Sequence, residues 1–278
     1  MRGYYRTIWI SDVHLGTRSC RADFLCDFLR QNNADYLYLV GDIFDGWALK
    51  RHWYWDSYHN DVLQQILQKA RKGTHVIYIP GNHDEFARQY FGLKLDEITV
   101  RPSALHTTAD GRQLLVLHGD EFDGIIRYAP WLSRLGAGVY ALVLGLNRWY
   151  NQVRRWLGLS YWSLSAYLKY RTKKAVQYIA DFEQAIVNEA RKYDVEGVVC
   201  GHIHHAELRK IDGILYANTG DWVESCTALV EHFDGRLEIV YWAAESVSAQ
   251  PVGDGHQRQD RIPVVQVSRY SNSNYAQR

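Results

Sequence analysis

Four cysteines in 278 residues, none in a Cys-x-x-Cys pair, exclude a disulfide-stapled scaffold. Cys20, Cys26, Cys200 and Cys226 are scattered and read as reduced, mostly buried thiols of a cytoplasmic protein. An excess of charge of one sign is also missing. The net charge is +1, so the chain lacks the strongly basic balance of a general nucleic-acid binder. The opening residues, MRGYYRTIWISDVH, contain no apolar run of about 7–15 residues, and a secretory signal is not expected.

What is present is enough apolar material for a sizeable core, at 47% hydrophobic residues. Length alone does not choose between two small domains and one large α/β domain. Short β-rich runs recur: TIWISDVH (7–14), YLYLVGDIFD (36–45), HVIYIPGNHD (75–84), LLVLHGD (114–120) and GVVCGHIHH (197–205). Near-continuous apolar runs suit strands buried on both faces. Helix-length segments separate the first three. Phe24, Leu25, Phe28 and Leu29 are spaced for one helical face, and Val62, Ile66, Leu67 and Ala70 for another. Strand–helix alternation predicts α/β layering with right-handed crossovers. Beyond Gly201, the runs ILYANTGDWV, TALVEHF and LEIVYW predict a second, largely antiparallel sheet. Residues 246–278, rich in Ser, Gln and Asn, read as a flexible tail to a single domain over 1–245.

Each of the five runs ends in chemistry. Asp12 and His14 follow the first, Asp42 and Asp45 the second, and Asn82, His83 and Asp84 the third. His118 and Asp120 follow the fourth, and His202 and His204 the fifth. A single Asp or Asn after a strand is ordinarily a turn former. Five such clusters in register exceed what turns require, and open α/β sheets bind ligands beyond the carboxyl ends of their strands. Mixed imidazole and oxygen donors favour Mn, Fe, Co or Zn over Ca or Mg.

Asp12-x-His14, Gly41-Asp42-x-x-Asp45, Gly81-Asn82-His83-Asp84, His118 and Gly201-His202-x-His204 together resemble the calcineurin-like metallophosphoesterase superfamily, from residue 7 to about 230. The resemblance implies an α/β layered sandwich of two mixed β-sheets flanked by helices, with a helical insert. It also implies two divalent ions, Mn²⁺ first among the candidates, bridged by Asp42. Asp12, His14 and His204 would complete one site, and Asn82, His118 and His202 the other. His83, oriented by Asp45, would bind phosphate or protonate the leaving oxygen. Two adjacent cations can hold phosphate oxygens and acidify water.

LHGDEFD (117–123) and NTGDWVESCTAL (218–229) further resemble segments of the UDP-2,3-diacylglucosamine hydrolases of lipid A synthesis. The implied reaction is cleavage of that pyrophosphate to UMP and the acylated sugar phosphate. One position departs: those hydrolases carry Arg where this chain has His83, the residue usual in the wider superfamily.

Residues 124–180 contain no Asp or Glu but nine Lys or Arg and eleven aromatics. Within this stretch the uncharged run 135–147 is too short to span a bilayer. The apolar stripe from Tyr128 to Trp156 predicts a helical insert over about 124–192. Its basic and aromatic residues, with Arg148, Arg154, Arg155, Trp149 and Trp156 as candidates, predict contact with a nucleotide-lipid substrate and a membrane surface. Nucleic acid is disfavoured, because no nucleic-acid module is recognisable. The expected location is the cytoplasm, peripheral on the inner membrane. Three rivals stand beside this reading: a cap that merely packs on the core, a phosphodiesterase or phosphatase of other specificity, and a non-catalytic membrane-surface protein.

Overall fold

The computed structural model describes residues 3–95, 97–123 and 164–242, and within 164–175 the backbone alone. Arg148, Trp149, Arg154, Arg155, Trp156 and the tail over 246–278 lie outside the described residues.

The parallel heart of the first sheet is β1 (Gly3–Ile10), β2 (Asn32–Val40) and β3 (His75–Ile79). Helix α1 (Ala22–Gln31) connects β1 to β2, and α2 (Gly46–Arg51) with α3 (Ser57–Arg71) connects β2 to β3. Leu25, Cys26, Phe28 and Leu29 of α1 and Val62, Ile66 and Ala70 of α3 are buried, close to the faces their spacing predicts. Asp45 and Asp56 cap the amino ends of α2 and α3, accepting the Ala48 and His59 amides at 2.7 and 3.0 Å.

After the short strands β4 (Lys94–Leu95) and β5 (Ile98–Val100), the chain enters the second sheet through β6 (Ala104–Thr107) and β7 (Gln113–Val116). Helix α4 (Leu164–Lys192) then leads into β8 (Gly197–Cys200). The last strands are β9 (Glu207–Ile211), β10 (Ile214–Asn218), β11 (Thr227–Glu231) and β12 (Leu237–Tyr241).

These late strands correct one expectation. They do not form a sheet of their own. β9 and β10 complete a five-stranded sheet in the order β6-β7-β8-β10-β9, while β11 and β12 extend the first sheet into the seven-stranded order β12-β11-β1-β2-β3-β5-β4. The reason is long-range pairing: β11 lies antiparallel to β1, with Ile8 opposite Val230, and β10 lies parallel to β8. Both sheets are mixed, each with a parallel centre and antiparallel edges.

Side-chain alternation assigns the layers. Ile8 and Ile10 face a cluster shared with α1 and α3, while Trp9 between them enters a second cluster with Val116, Val199 and Ala217 from the other sheet. Leu115 and Leu117 face a third cluster with Phe182, Ile186 and Val187 of α4. The order is helices, sheet, sheet, helix: the α/β sandwich of two mixed sheets expected from the sequence. Ile10 pairs with Leu39 and Val40 with Ile79, so three strands of one sheet end level. In the other sheet Val116 pairs with Val199 and Cys200 with Asn218. The carboxyl ends that carry the polar clusters therefore come from both sheets, not from one open sheet.

Candidate metal centre

The loops that follow the strands are stitched together before any side chain is considered. The Asp12 amide donates to Gly41 O at 3.0 Å, and the Val13 and His14 amides both donate to Asp42 O. The Gly201 amide donates to His118 O at 3.2 Å, and the Trp222 amide to Asp12 O at 3.1 Å. Asp12, His14, Asp42, His202 and His204 all have φ between 51° and 72°, a region that non-glycine residues rarely occupy. Such strain persists only where surroundings enforce it, and it concentrates at functional sites. Glycine supplies the remaining clearance: a Cβ on Gly41 would overlap the His118 ring, and one on Gly81 would overlap both Asp42 and His118.

The side chains converge in two groups. Asp12, His14 and His204 bring candidate ligand atoms within 4.8 Å of one another, and so do Asp42, His118 and His202. His204 Nε2 lies 3.3 Å from Asp12 Oδ1, and His118 Nε2 lies 3.4 Å from Asp42 Oδ2. Asp12, Asp42 and His118 are almost fully buried. Four buried atoms of the expected ligands make no hydrogen bond: Asp12 Oδ1, His14 Nε2, Asn82 Oδ1 and His118 Nε2. Leaving a buried polar atom unpaired costs roughly 1–3 kcal/mol. Four at one place is the signature expected of cation ligands. The donor set of two carboxylates, imidazoles and an amide oxygen suits a divalent transition metal.

Neighbouring contacts choose which atom faces the site. His118 Nδ1–H donates to Val40 O at 2.9 Å, which leaves the Nε2 lone pair inward. Asp42 Oδ1 accepts the His83 amide at 2.8 Å. Asp12 Oδ2 accepts the His202 amide at 2.9 Å and the Ser11 hydroxyl, so Oδ1 remains. Burial opposes charge on both His118 and Asp42, but each stabilises the other. His118 is drawn up to about 10 and the Asp42 carboxyl is held well below the usual range. A bound cation replaces the proton in such a pair.

Asp45 sits between two imidazoles. Its Oδ2 is 3.3 Å from His14 Nδ1 and 3.2 Å from His83 Nδ1. The His14 contact is a hydrogen bond; the His83 contact has the distance but not the direction of one. Burial works against the Asp45 charge, yet the two imidazoles and the Ala48 amide keep its carboxyl far below the usual range. His14, Asp45 and His83 form a third close group, but it shares His14 with the first. Trp47 covers His83, with ring centroids 4.2 Å apart. His205 is exposed, and Asp120 turns away to pair with Arg88 at 2.6 Å.

A model of the calcineurin-like phosphoesterase family matches residues 5–206, which contain every one of these groups. The chain belongs to the calcineurin-like phosphoesterase family. It is therefore a metal-dependent phosphohydrolase. Among similar proteins, the UDP-2,3-diacylglucosamine hydrolase of Photorhabdus laumondii is 26% identical over 222 residues, 74% of this chain and 84% of the relative. That of Vibrio cholerae serotype O1 is 24% identical over 244 residues, 81% of this chain and 93% of the relative. A solved archaeal phosphodiesterase is similar at 11% identity and a TM-score of 0.41, over 84% of this chain and 98% of that one.

Two acidic residues of this phosphoesterase do more than the sequence assigns them: Asp84 reads there only as shaping its loop, and Asp123 has no role. Asp84, wholly buried, accepts the Gly81, Ile43, Asp42 and Phe44 amides at 2.6, 2.8, 3.2 and 3.3 Å and the Tyr78 hydroxyl at 2.6 Å. It holds the loops that carry Asp42 and Asn82 against each other. Its place beside His83 in the third cluster was a signal, but its role was not legible. Asp123 contacts His202; LHGDEFD ends on it, but the segment gave it no role of its own.

Proposed function

We propose that this phosphoesterase is a dinuclear-metal hydrolase of the pyrophosphate in UDP-2,3-diacylglucosamine, or in a related nucleotide-diphosphate lipid, releasing UMP and the lipid sugar 1-phosphate. The observation that carries the metal reading is the set of four unpaired buried candidate ligand atoms from three different loops. Asp12, His14 and His204 would hold one ion, Asn82, His118 and His202 the other, with Asp42 shared. Mn²⁺ is the first candidate, and Fe, Co and Zn suit the same donors. Bound there, the cations supply Lewis acidity at phosphoryl oxygens and acidify water.

The chain's own residues supply orientation and proton transfer. His83 turns Nδ1 toward Asp45, leaving Nε2 for a phosphoryl or leaving oxygen. The Asp45 carboxylate beside Nδ1 orients the ring. The insert over 124–192, within one domain spanning 1–245, contributes Arg148, Arg154 and Arg155 to phosphate or anionic lipid and Trp149 and Trp156 to acyl chains. This placement fits a protein peripheral to the cytoplasmic face of a membrane. No helix among the described residues is long and apolar enough to cross one.

The relatives' names support the substrate, and His83 favours the rival. A histidine can donate a proton where the permanent charge of an arginine cannot, which suits a phosphodiesterase of other specificity. Phosphorus NMR of UDP-2,3-diacylglucosamine incubated with the protein and Mn²⁺ separates them. UMP and a lipid phosphate are expected. Turnover of bis-p-nitrophenyl phosphate without UMP release would replace the lipid substrate and keep the chemistry.

A further inference from the structure

The turn after β7 carries a carboxylate that the metal reading does not use. Asp123 Oδ1 lies 2.8 Å from His202 Nε2 and accepts the Tyr178 hydroxyl of α4, also at 2.8 Å. Burial pushes Tyr178 up, so its hydroxyl stays a donor. Asp123 Oδ1 accepts here as it does from Tyr178, so His202 Nε2 is the donor and the lone pair is left on Nδ1. The ring is held from other sides too. The His118 ring meets it edge-on at 5.2 Å, and Phe182 of α4 lies 5.9 Å away. Gly119 sits directly against Phe182, where a Cβ would come within 2.7 Å of the ring, so the turn bearing Asp123 is pressed onto α4.

We infer that Asp123, backed by Tyr178, is a positioning residue for the second metal: it fixes His202 as the Nε2–H tautomer and presents Nδ1 to the ion. The inference rests on the assignment of His202 as a metal ligand. Carboxylates hydrogen-bonded to a metal-bound imidazole orient the ring and raise its basicity, and their loss weakens binding about 10- to 100-fold. The arrangement also gives α4 a direct contact with the second site.

The test is calorimetric titration of the metal-free full chain with Mn²⁺, for wild type, Asp123→Asn, Tyr178→Phe and His202→Ala. Both near-isosteric variants are checked by thermal unfolding in EDTA, where a purely structural role would show. Expected are two equivalents for wild type and a second equivalent weakened 10- to 100-fold in Asp123→Asn. The second equivalent should weaken less in Tyr178→Phe and disappear in His202→Ala, with the first little changed. Nitrogen-15 imidazole spectra of the Zn²⁺-loaded protein should show His202 protonated at Nε2. Two unchanged equivalents in Asp123→Asn, or a proton on Nδ1, would overturn the inference and leave the metal site standing. A wild type without a second equivalent, or a His202→Ala variant that keeps it, would overturn the ligand assignment and the inference with it.

Discussion

The Asp84 carboxylate accepts the Ile43 amide at 2.8 Å although 41 positions separate the two residues. The same carboxylate takes four further donors from Gly81, Tyr78, Asp42 and Phe44. Asp84→Ala strands several buried donors, each worth roughly 1–3 kcal/mol when unpaired. The expected loss is therefore about 3 kcal/mol or more in denaturant unfolding. A change under about 1 kcal/mol would show that the loops hold together without it.

A second buried acid gives a pH prediction with a fixed sign. Glu231 lies between the sheets with His106 Nε2 at 2.8 Å, Arg6 at 2.9 Å and the Thr7 hydroxyl at 2.7 Å. Burial disfavours its charge, but His106, Thr7 and the Ala109 amide outweigh that, and the folded protein lowers its carboxyl below the ordinary value. A depressed acid stabilises the fold above its unfolded pKa and loses that contribution as pH falls through the folded value. Glu231→Gln should therefore be less stable than wild type near neutrality, with the gap narrowing below about pH 4.3. Denaturation midpoints measured against pH check this; a gap that widens in acid would reverse the sign.

His83 separates catalysis from metal binding. His83→Ala should keep both ions and lower kcat by about 10²- to 10⁴-fold, the usual range for a general acid or base. Elemental analysis alongside steady-state kinetics reads both quantities. Loss of metal in this variant would make His83 a ligand instead.

The insert yields a prediction from sequence alone. Replacing Arg148, Arg154 and Arg155 by Glu should abolish co-sedimentation with anionic vesicles, since each basic residue contributes about 1 kcal/mol near such a surface. Unchanged sedimentation would favour a cap that serves only the fold or the substrate.

Much of the centre was legible because strand and chemistry adjoin in the chain. The runs before Asp12, Asp42, Asn82, His118 and His202 are apolar and short, and each stops at its candidate ligand. What was not legible depends on partners distant in sequence. Nothing in TALVEHF says that Val230 will face Ile8 rather than a neighbour in a separate sheet, because pairing is decided by packing across the whole core. Asp84 looked like a loop residue because its five donors come from elsewhere or from backbone, which carries no side-chain signal. Asp123 meets His202 only because the turn at Asp120–Phe122 is folded against α4. The left-handed conformations of Asp12, His14, Asp42, His202 and His204 likewise have no signature in residues that could equally be extended.

The central claim is a two-ion site built around Asp42, and metal stoichiometry of Asp42→Ala tests it most directly. Inductively coupled plasma analysis after dialysis should find two equivalents of Mn²⁺ in the wild type. The account predicts that the variant, still folded by circular dichroism, retains neither ion tightly. Two tightly held equivalents in folded Asp42→Ala would contradict it.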